Sequence, residues 1–154
     1  MTISAAAQSR LDDFRARCAD AGLAATHQRL IIYRTLVEST DHPSPELVYD
    51  RVRTEIPSIS QATVYKNIRT FLEIGLLQEV NRLHQTNRLD ANLDQHHHLI
   101  CVRCEKVTDL YDDQLDGARA HDESPGGFQV LNYQVEAYGV CPDCQPTEPA
   151  RIAD

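Results

Sequence analysis

Nowhere in its 154 residues does the sequence approach the roughly 18 uncharged apolar residues that a membrane-spanning helix needs. The opening segment, MTISAAAQSRLDDF, lacks a basic start followed by an apolar core, so no secretory signal is expected. Long low-complexity tracts and internal repeats are missing too, which excludes solenoids and fibrous chains. The HExxH and GxSxG signatures of zinc proteases and serine hydrolases do not occur. A basic excess is also lacking, since the formal charge is −8. These absences leave an ordinary globular protein, expected in the cytoplasm. There thiols stay reduced, and five cysteines read first as metal ligands or reactive thiols, second as disulfides.

The charge is unevenly distributed. Residues 1–83 hold ten Lys/Arg and ten Asp/Glu, net zero, whereas residues 84–154 hold five and thirteen, net −8. Four of the five cysteines lie in the acidic half. A neutral half joined to an acidic, cysteine-bearing half implies two small domains with different tasks.

The first half reads as successive helices. Residues from about Gln8 to Ala21 carry sparse apolar positions (Leu11, Phe14, Cys18) before a C-capping Gly22, and lone Cys18 reads as a small buried hydrophobe. Thr26 can cap a second helix, HQRLIIYRTLVES. Ser44 and Pro45 start a third, with Val48, Val52 and Ile56 on one face. Ser60 caps a fourth, closed by Gly75, in which Val64, Ile68, Phe71 and Leu72 form a buried stripe. The opposite face presents Ala62, Thr63, Lys66, Arg69 and Thr70, flanked by Tyr65. Two strand-like runs, LLQEVNRL and TNRLD, follow around a turn at His84–Gln85. Helices followed by a hairpin describe a winged helix-turn-helix.

The second half changes period. HHHLICV, KVTDLY and GFQVLNYQVEAYGV read as strands, and DDQLDGARAHDE as a short acidic helix. The expected fold is α+β: a winged-helix domain over 1–83, a hinge over 84–92, a small α/β zinc-binding domain over 93–145, and a disordered tail over 146–154.

Cys101-Val-Arg-Cys104 and Cys141-Pro-Asp-Cys144 are two CxxC knuckles, each following an apolar strand. Two such pairs can turn four sulfurs onto one Zn²⁺ at about 2.3 Å each; disulfides or a redox pair are the other readings. With all four positions protein-filled, such a zinc is structural rather than catalytic.

His96-His97-His98 directly precedes the first knuckle. On a strand, His96 and His98 share a face and His97 points away, so the outer pair can converge on a second metal; the bland reading is a solvated strand start. Asp90 lies six residues upstream, and Asp109 is within reach on the next strand. His42, before a proline, would by sequence alone be a turn residue. Three imidazoles and two carboxylates suit Fe²⁺, Mn²⁺ or Zn²⁺. If His42 joins them, metal binding clamps the two halves.

QRLIIYRTL, HPSPELVYDRV, SQATVYKNIRTFLEIGLL, HHHLICVRC and YGVCPDC together resemble the ferric-uptake-regulator family of metal-dependent repressors, from about Leu23 to Cys144. The resemblance implies a homodimer with an N-terminal winged helix on a palindromic double-stranded DNA operator, and no enzymatic activity. It implies structural zinc on Cys101, Cys104, Cys141 and Cys144, with regulatory Fe²⁺ or Mn²⁺ on His42, Asp90, His96, His98 and Asp109. It places the recognition helix at Gln61–Ile74, with Ser60, Gln61, Thr63, Tyr65, Lys66 and Arg69 toward DNA. Aspartates at 90 and 109 resemble the peroxide-sensing branch, in which iron-catalysed oxidation of a ligating histidine (here His42 or His96) releases the DNA. A reversible iron-, manganese- or zinc-responsive repressor is the alternative. His27 stands where the family usually has proline, and Gln95 and Tyr133 stand where histidines are common. Outside the family, a zinc hydrolase or a zinc-stapled interaction module are the competing classes.

Overall fold

The computed structural model describes residues 5–80, 87–116, 125–130 and 133–146. The chain divides into two compact units, Met1–Asp94 and Gln95–Asp154.

Unit 1 opens with four helices: α1 (Ala5–Asp20), α2 (His27–Val37), α3 (Pro45–Glu55) and α4 (Gln61–Glu73). Three of them start as their sequences require. The side chains of Thr26, Ser44 and Ser60 accept from the backbone N–H three residues on, at 3.3, 3.3 and 3.1 Å. Glycine ends two of them. Gly22 (φ 68°) and Gly75 (φ 73°) turn left-handed, letting Leu23 N–H and Leu76 N–H bond back to the carbonyls of Cys18 and Phe71.

The helices bury one apolar cluster. Phe14 of α1 stacks on Tyr33 of α2 at 4.9 Å between centroids, and the edge of Phe71 from α4 closes the trio. Val48 and Val52 pack in from α3, Val64 and Ile68 from α4, while Ile56 and Leu72 are half-buried at its margin. Cys18 is fully buried, and burial raises its thiol pKa, as a packed hydrophobe requires. Phe14→Ala should cost about 3–5 kcal/mol, read from urea unfolding of the helical signal, because the cavity opens where three rings meet. A loss below 1 kcal/mol would mean that α1 is dispensable to this core.

After α4 come β1 (Gln78–Val80) and β2 (Arg88–Asp90), paired antiparallel with Glu79 opposite Leu89. The expected turn at His84–Gln85 lies outside the described residues. Residues 88–90 of the segment read as a hinge thus form a strand, with Leu89 buried in the unit 1 core.

Unit 2 is built on a three-stranded sheet in the order β4-β3-β5. β3 (His97–Cys101) is central, with β4 (Val107–Leu110) antiparallel and β5 (Glu136–Gly139) parallel. Among the described residues of the expected strand GFQVLNYQVEAYGV, only Glu136–Gly139 form one. Pro125–Gly127 form a 3₁₀ turn, while Phe128 and Val130 stay exposed without a sheet partner among the described residues. Propensity marks a residue that suits a pleated surface; only pairing makes a strand. The described part of the expected acidic helix is α5 (Asp113–Asp116), where the backbone N–H groups of Gln114 and Leu115 bond the Asp112 carboxylate. The rest of that expected helix, and most of the tail, lie outside the described residues. No helix among the described residues is long and apolar enough to cross a membrane.

Candidate metal centres

Register brings the four cysteines together. Cys101 ends β3 opposite Gly139, the last residue of β5, so both knuckles leave the same end of the sheet. The second knuckle is a 3₁₀ turn with Pro142 in first position, and Cys144 N–H bonds the Cys141 carbonyl at 2.9 Å. One sulfur from each cysteine lies within 4.8 Å of the others, with Cys104 and Cys141 at 3.6 Å. Sulfurs about 2.3 Å from a tetrahedral ion stand roughly 3.8 Å apart, so the donor set fits Zn²⁺.

Electrostatics support that fit. Backbone N–H groups of Cys141, Cys104 and Arg103 bring the Cys101 thiol down to about 6, while hydrogen bonding to Cys104 and Cys141 pushes Cys144 up to about 12. One thiolate is favoured by the backbone alone. Four thiolates this close require a cation among them.

The histidines and aspartates form a donor group within each unit. In unit 2, His98 faces Asp109 across the β3–β4 ladder. His96 and His98 are buried, with their Nε2 atoms 3.0 Å apart, and Asp109 Oδ1 lies 3.6 and 4.0 Å from those two nitrogens. Cis nitrogens about 2.1 Å from one ion would stand roughly 3.0–3.4 Å apart, which matches. His97 turns away, as the alternation predicts. It is fully buried, and its Nδ1 accepts from Val135 N–H at 3.0 Å, a structural role.

In unit 1, His42 Nε2 lies 3.7 Å from Asp90 Oδ2, both buried. His42 is no ordinary turn residue: its φ is +48°, uncommon for any side chain with a β-carbon and further restricted by Pro43. The flanks impose this conformation. Arg51 grips the Asp41 carboxylate with two bonds, at 3.0 and 2.6 Å, and bonds Ser39 Oγ at 2.8 Å. Leu89 N–H holds the Pro43 carbonyl at 3.0 Å. Strain of this kind costs about 1–3 kcal/mol and persists where its surroundings over-determine it, most often at functional sites.

Supporting residues orient these donors, and sequence reasoning missed them. Gln78 donates to Asp90 Oδ2 at 3.1 Å and Asn92 N–H to Asp90 Oδ1 at 2.7 Å. Tyr111 donates to Asp109 Oδ2 at 3.3 Å, and Gln134 Nε2 lies 3.2 Å from His98 Nδ1. Such outer partners fix ring tautomer and carboxylate direction. Gln78 and Gln134 reach their partners from other segments, where no spacing rule announces them, whereas Asn92 and Tyr111 stand two residues from theirs.

Of the residues expected to face DNA, Gln61, Tyr65, Lys66 and Arg69 are exposed on α4. Gln61 Nε2 donates to the Tyr65 hydroxyl at 3.1 Å. Ser60 is engaged in capping, its hydroxyl 2.8 Å from that of half-buried Thr63. Residues 57–72 contain no acid.

The sequence matches the ferric uptake regulator family over residues 20–138. It is 35% identical over 135 residues to the peroxide-responsive repressor PerR of Staphylococcus epidermidis, covering 88% of this chain and 90% of that one. To the PerR of Staphylococcus aureus (strain Mu50) it is 34% identical over 138 residues, covering 90% and 93%. The Campylobacter jejuni peroxide stress regulator structure superposes with TM-score 0.67 at 34% identity, covering 87% and 98%. The Helicobacter pylori ferric uptake regulator superposes with TM-score 0.77 at 21% identity, covering 97% and 100%, which speaks to the fold.

Proposed function

The chain belongs to the ferric uptake regulator family, and from that premise we propose that it is a peroxide-sensing repressor whose two donor groups share one regulatory ion. As a member of that family it is a metal-responsive transcriptional regulator, not an enzyme. The finer reading rests on one observation. The donors are a convergent imidazole pair with an aspartate in unit 2, and a strained histidine with an aspartate in unit 1.

In this reading Cys101, Cys104, Cys141 and Cys144 hold structural Zn²⁺, and His42, Asp90, His96, His98 and Asp109 hold Fe²⁺ or Mn²⁺. The protein acts in the cytoplasm as a homodimer. Support for the dimer comes from unit 2, where Leu99, Val102, Phe128, Tyr133 and Tyr138 lie exposed, apolar side chains that a second copy would cover. Two copies of α4, spaced about 34 Å apart, would read a palindromic duplex in successive major grooves. Ser60, Gln61, Thr63, Tyr65, Lys66 and Arg69 are the proposed contacts, with Lys66 and Arg69 on phosphates or guanines and Tyr65 against a thymine methyl.

Bound Fe²⁺ would supply the redox chemistry that activates hydrogen peroxide. The chain's part is to hold the target imidazole: His42 or His96 gains one oxygen atom and loses two electrons, and peroxide leaves as water. The oxidised ring is a poorer donor, the clamp opens, and the DNA is released.

Peptide mass spectrometry of anaerobically Fe²⁺-loaded protein, before and after one dose of peroxide, tests this reading. We expect a single added oxygen on the His42 or His96 peptide with iron and none with Mn²⁺. Unmodified peptides from fully iron-loaded protein would replace it with reversible metal sensing.

A further inference from the structure

We infer that Arg29 is a DNA-phosphate ligand, aimed from α2 by the buried Asn67 of α4; the inference rests on the DNA-binding reading above. Asn67 occupies a core position on a helix whose neighbouring buried residues are Val64, Ile68 and Phe71. A polar side chain there needs partners, and it has two. Its Nδ2 donates to the Thr63 carbonyl at 2.8 Å, and its Oδ1 accepts from Arg29 Nε at 3.1 Å. Arg29 Nη1 donates to the Ala24 carbonyl at 2.7 Å. The guanidinium is therefore fixed at the flank of α4 by neutral acceptors, with further donors unspent.

Its charge is the second observation. Arg10, Arg17, Arg34, Arg51 and Arg53 of the same unit each lie within hydrogen-bond or ion-pair reach of a carboxylate, whereas exposed Arg15 and half-buried Arg88 do not among the described residues. The chain carries 23 acidic residues against 15 basic ones, so pairing is easy to achieve. Arg29, half-buried, has no carboxylate within 4.0 Å among the described residues, and no acid stands in the first turn of α2. A fixed, partly desolvated cation left without a counter-ion calls for an anion from outside the chain. Lys66 and Arg69, on the exposed face of the helix that Arg29 flanks, are likewise unpaired among the described residues. A planar fork held at one edge suits a phosphodiester, which accepts two parallel bonds. The helix dipole at the first turn of α2 adds to the attraction.

The test uses duplexes recovered from a random pool by the metal-loaded full-length protein, with binding followed by fluorescence anisotropy across a salt series. Arg29→Gln should weaken binding several-fold at low salt and reduce the slope of log K against log salt by about 0.9 per lost contact. Arg29→Lys, which keeps the charge, should keep the slope. Circular dichroism monitors α2 in both variants. An unchanged slope in Arg29→Gln, with or without weaker binding, overturns the inference and leaves the DNA-binding reading standing. Equal slope loss in both variants overturns it as well, since slope would then follow the fold of α2 and not the charge. Failure of the unaltered protein to enrich any duplex overturns the DNA-binding reading, and this inference with it.

Discussion

Cys141→Ser is expected to abolish the fold of unit 2 while leaving unit 1 intact. The two units are stabilised by different means. Unit 1 buries a cluster built from all four helices and the first hairpin, with Phe14, Tyr33 and Phe71 at its centre. In unit 2 the buried apolar side chains among the described residues are Ile100, Cys101 and Val107. A core that small cannot offset the ordering entropy of the strands and turns around it. In the proposed reading a zinc ion on the four sulfurs supplies the difference, since structural zinc sites contribute on the order of 10–16 kcal/mol at neutral pH. Serine offers a hydroxyl of far higher pKa in place of a thiolate and breaks the tetrahedron. The variant should lose its tightly held zinc, assayed by a colorimetric chelator, and its strand signal by circular dichroism. Helical signal and the main unfolding transition should persist. A variant that retains a folded sheet without zinc would show that the cysteines are not the staple of this unit.

The helices of unit 1 and the clustering of the cysteines were legible in the sequence, for reasons that can be located. The helices of unit 1 announce themselves because period 3.6 is repeated over three or more turns and because Thr26, Ser44 and Ser60 each perform the bond their residue type favours. The cysteine pairs are legible because a CxxC knuckle is local geometry. Strand alternation made His96 and His98 legible as a pair, although β3 begins only at His97. What was illegible depends on partners distant in sequence. Phe128 and Val130 have strand propensity but no strand to pair with among the described residues. Leu89 is drawn into the unit 1 core by pairing with β1, so part of the expected hinge is a strand, and the units divide between Asp94 and Gln95. Arg29 and Asn67 are thirty-eight residues apart, and their bond requires α2 and α4 to be packed already. The positive φ of His42 is likewise a product of Arg51 and Leu89, neither of them its neighbour in sequence.

The strained backbone of His42 makes its replacement the most informative test of the proposed clamp. In that reading His42 and Asp90 are the donors unit 1 contributes, so losing the imidazole should uncouple DNA binding from the regulatory metal. Allosteric couplings of about 1–3 kcal/mol correspond to a 5- to 150-fold gain in duplex affinity on adding Mn²⁺ to the zinc-replete protein, and His42→Ala should reduce that gain to near unity. The structural zinc and the helical fold should be unaffected, because neither the sulfur cluster nor the Phe14–Tyr33–Phe71 packing involves His42. Substitution by alanine keeps a β-carbon at φ +48°, so the strain stays although the imidazole is gone. His42→Gly removes both, and should exceed His42→Ala in stability by roughly 1–2 kcal/mol while being equally deaf to Mn²⁺. The pair of variants therefore separates ligand loss from backbone release. A wild-type response to Mn²⁺ in His42→Ala would remove unit 1 from the regulatory site. A response lost in alanine but restored in glycine would make the conformation of this turn, and not its nitrogen, the element that metal binding biases.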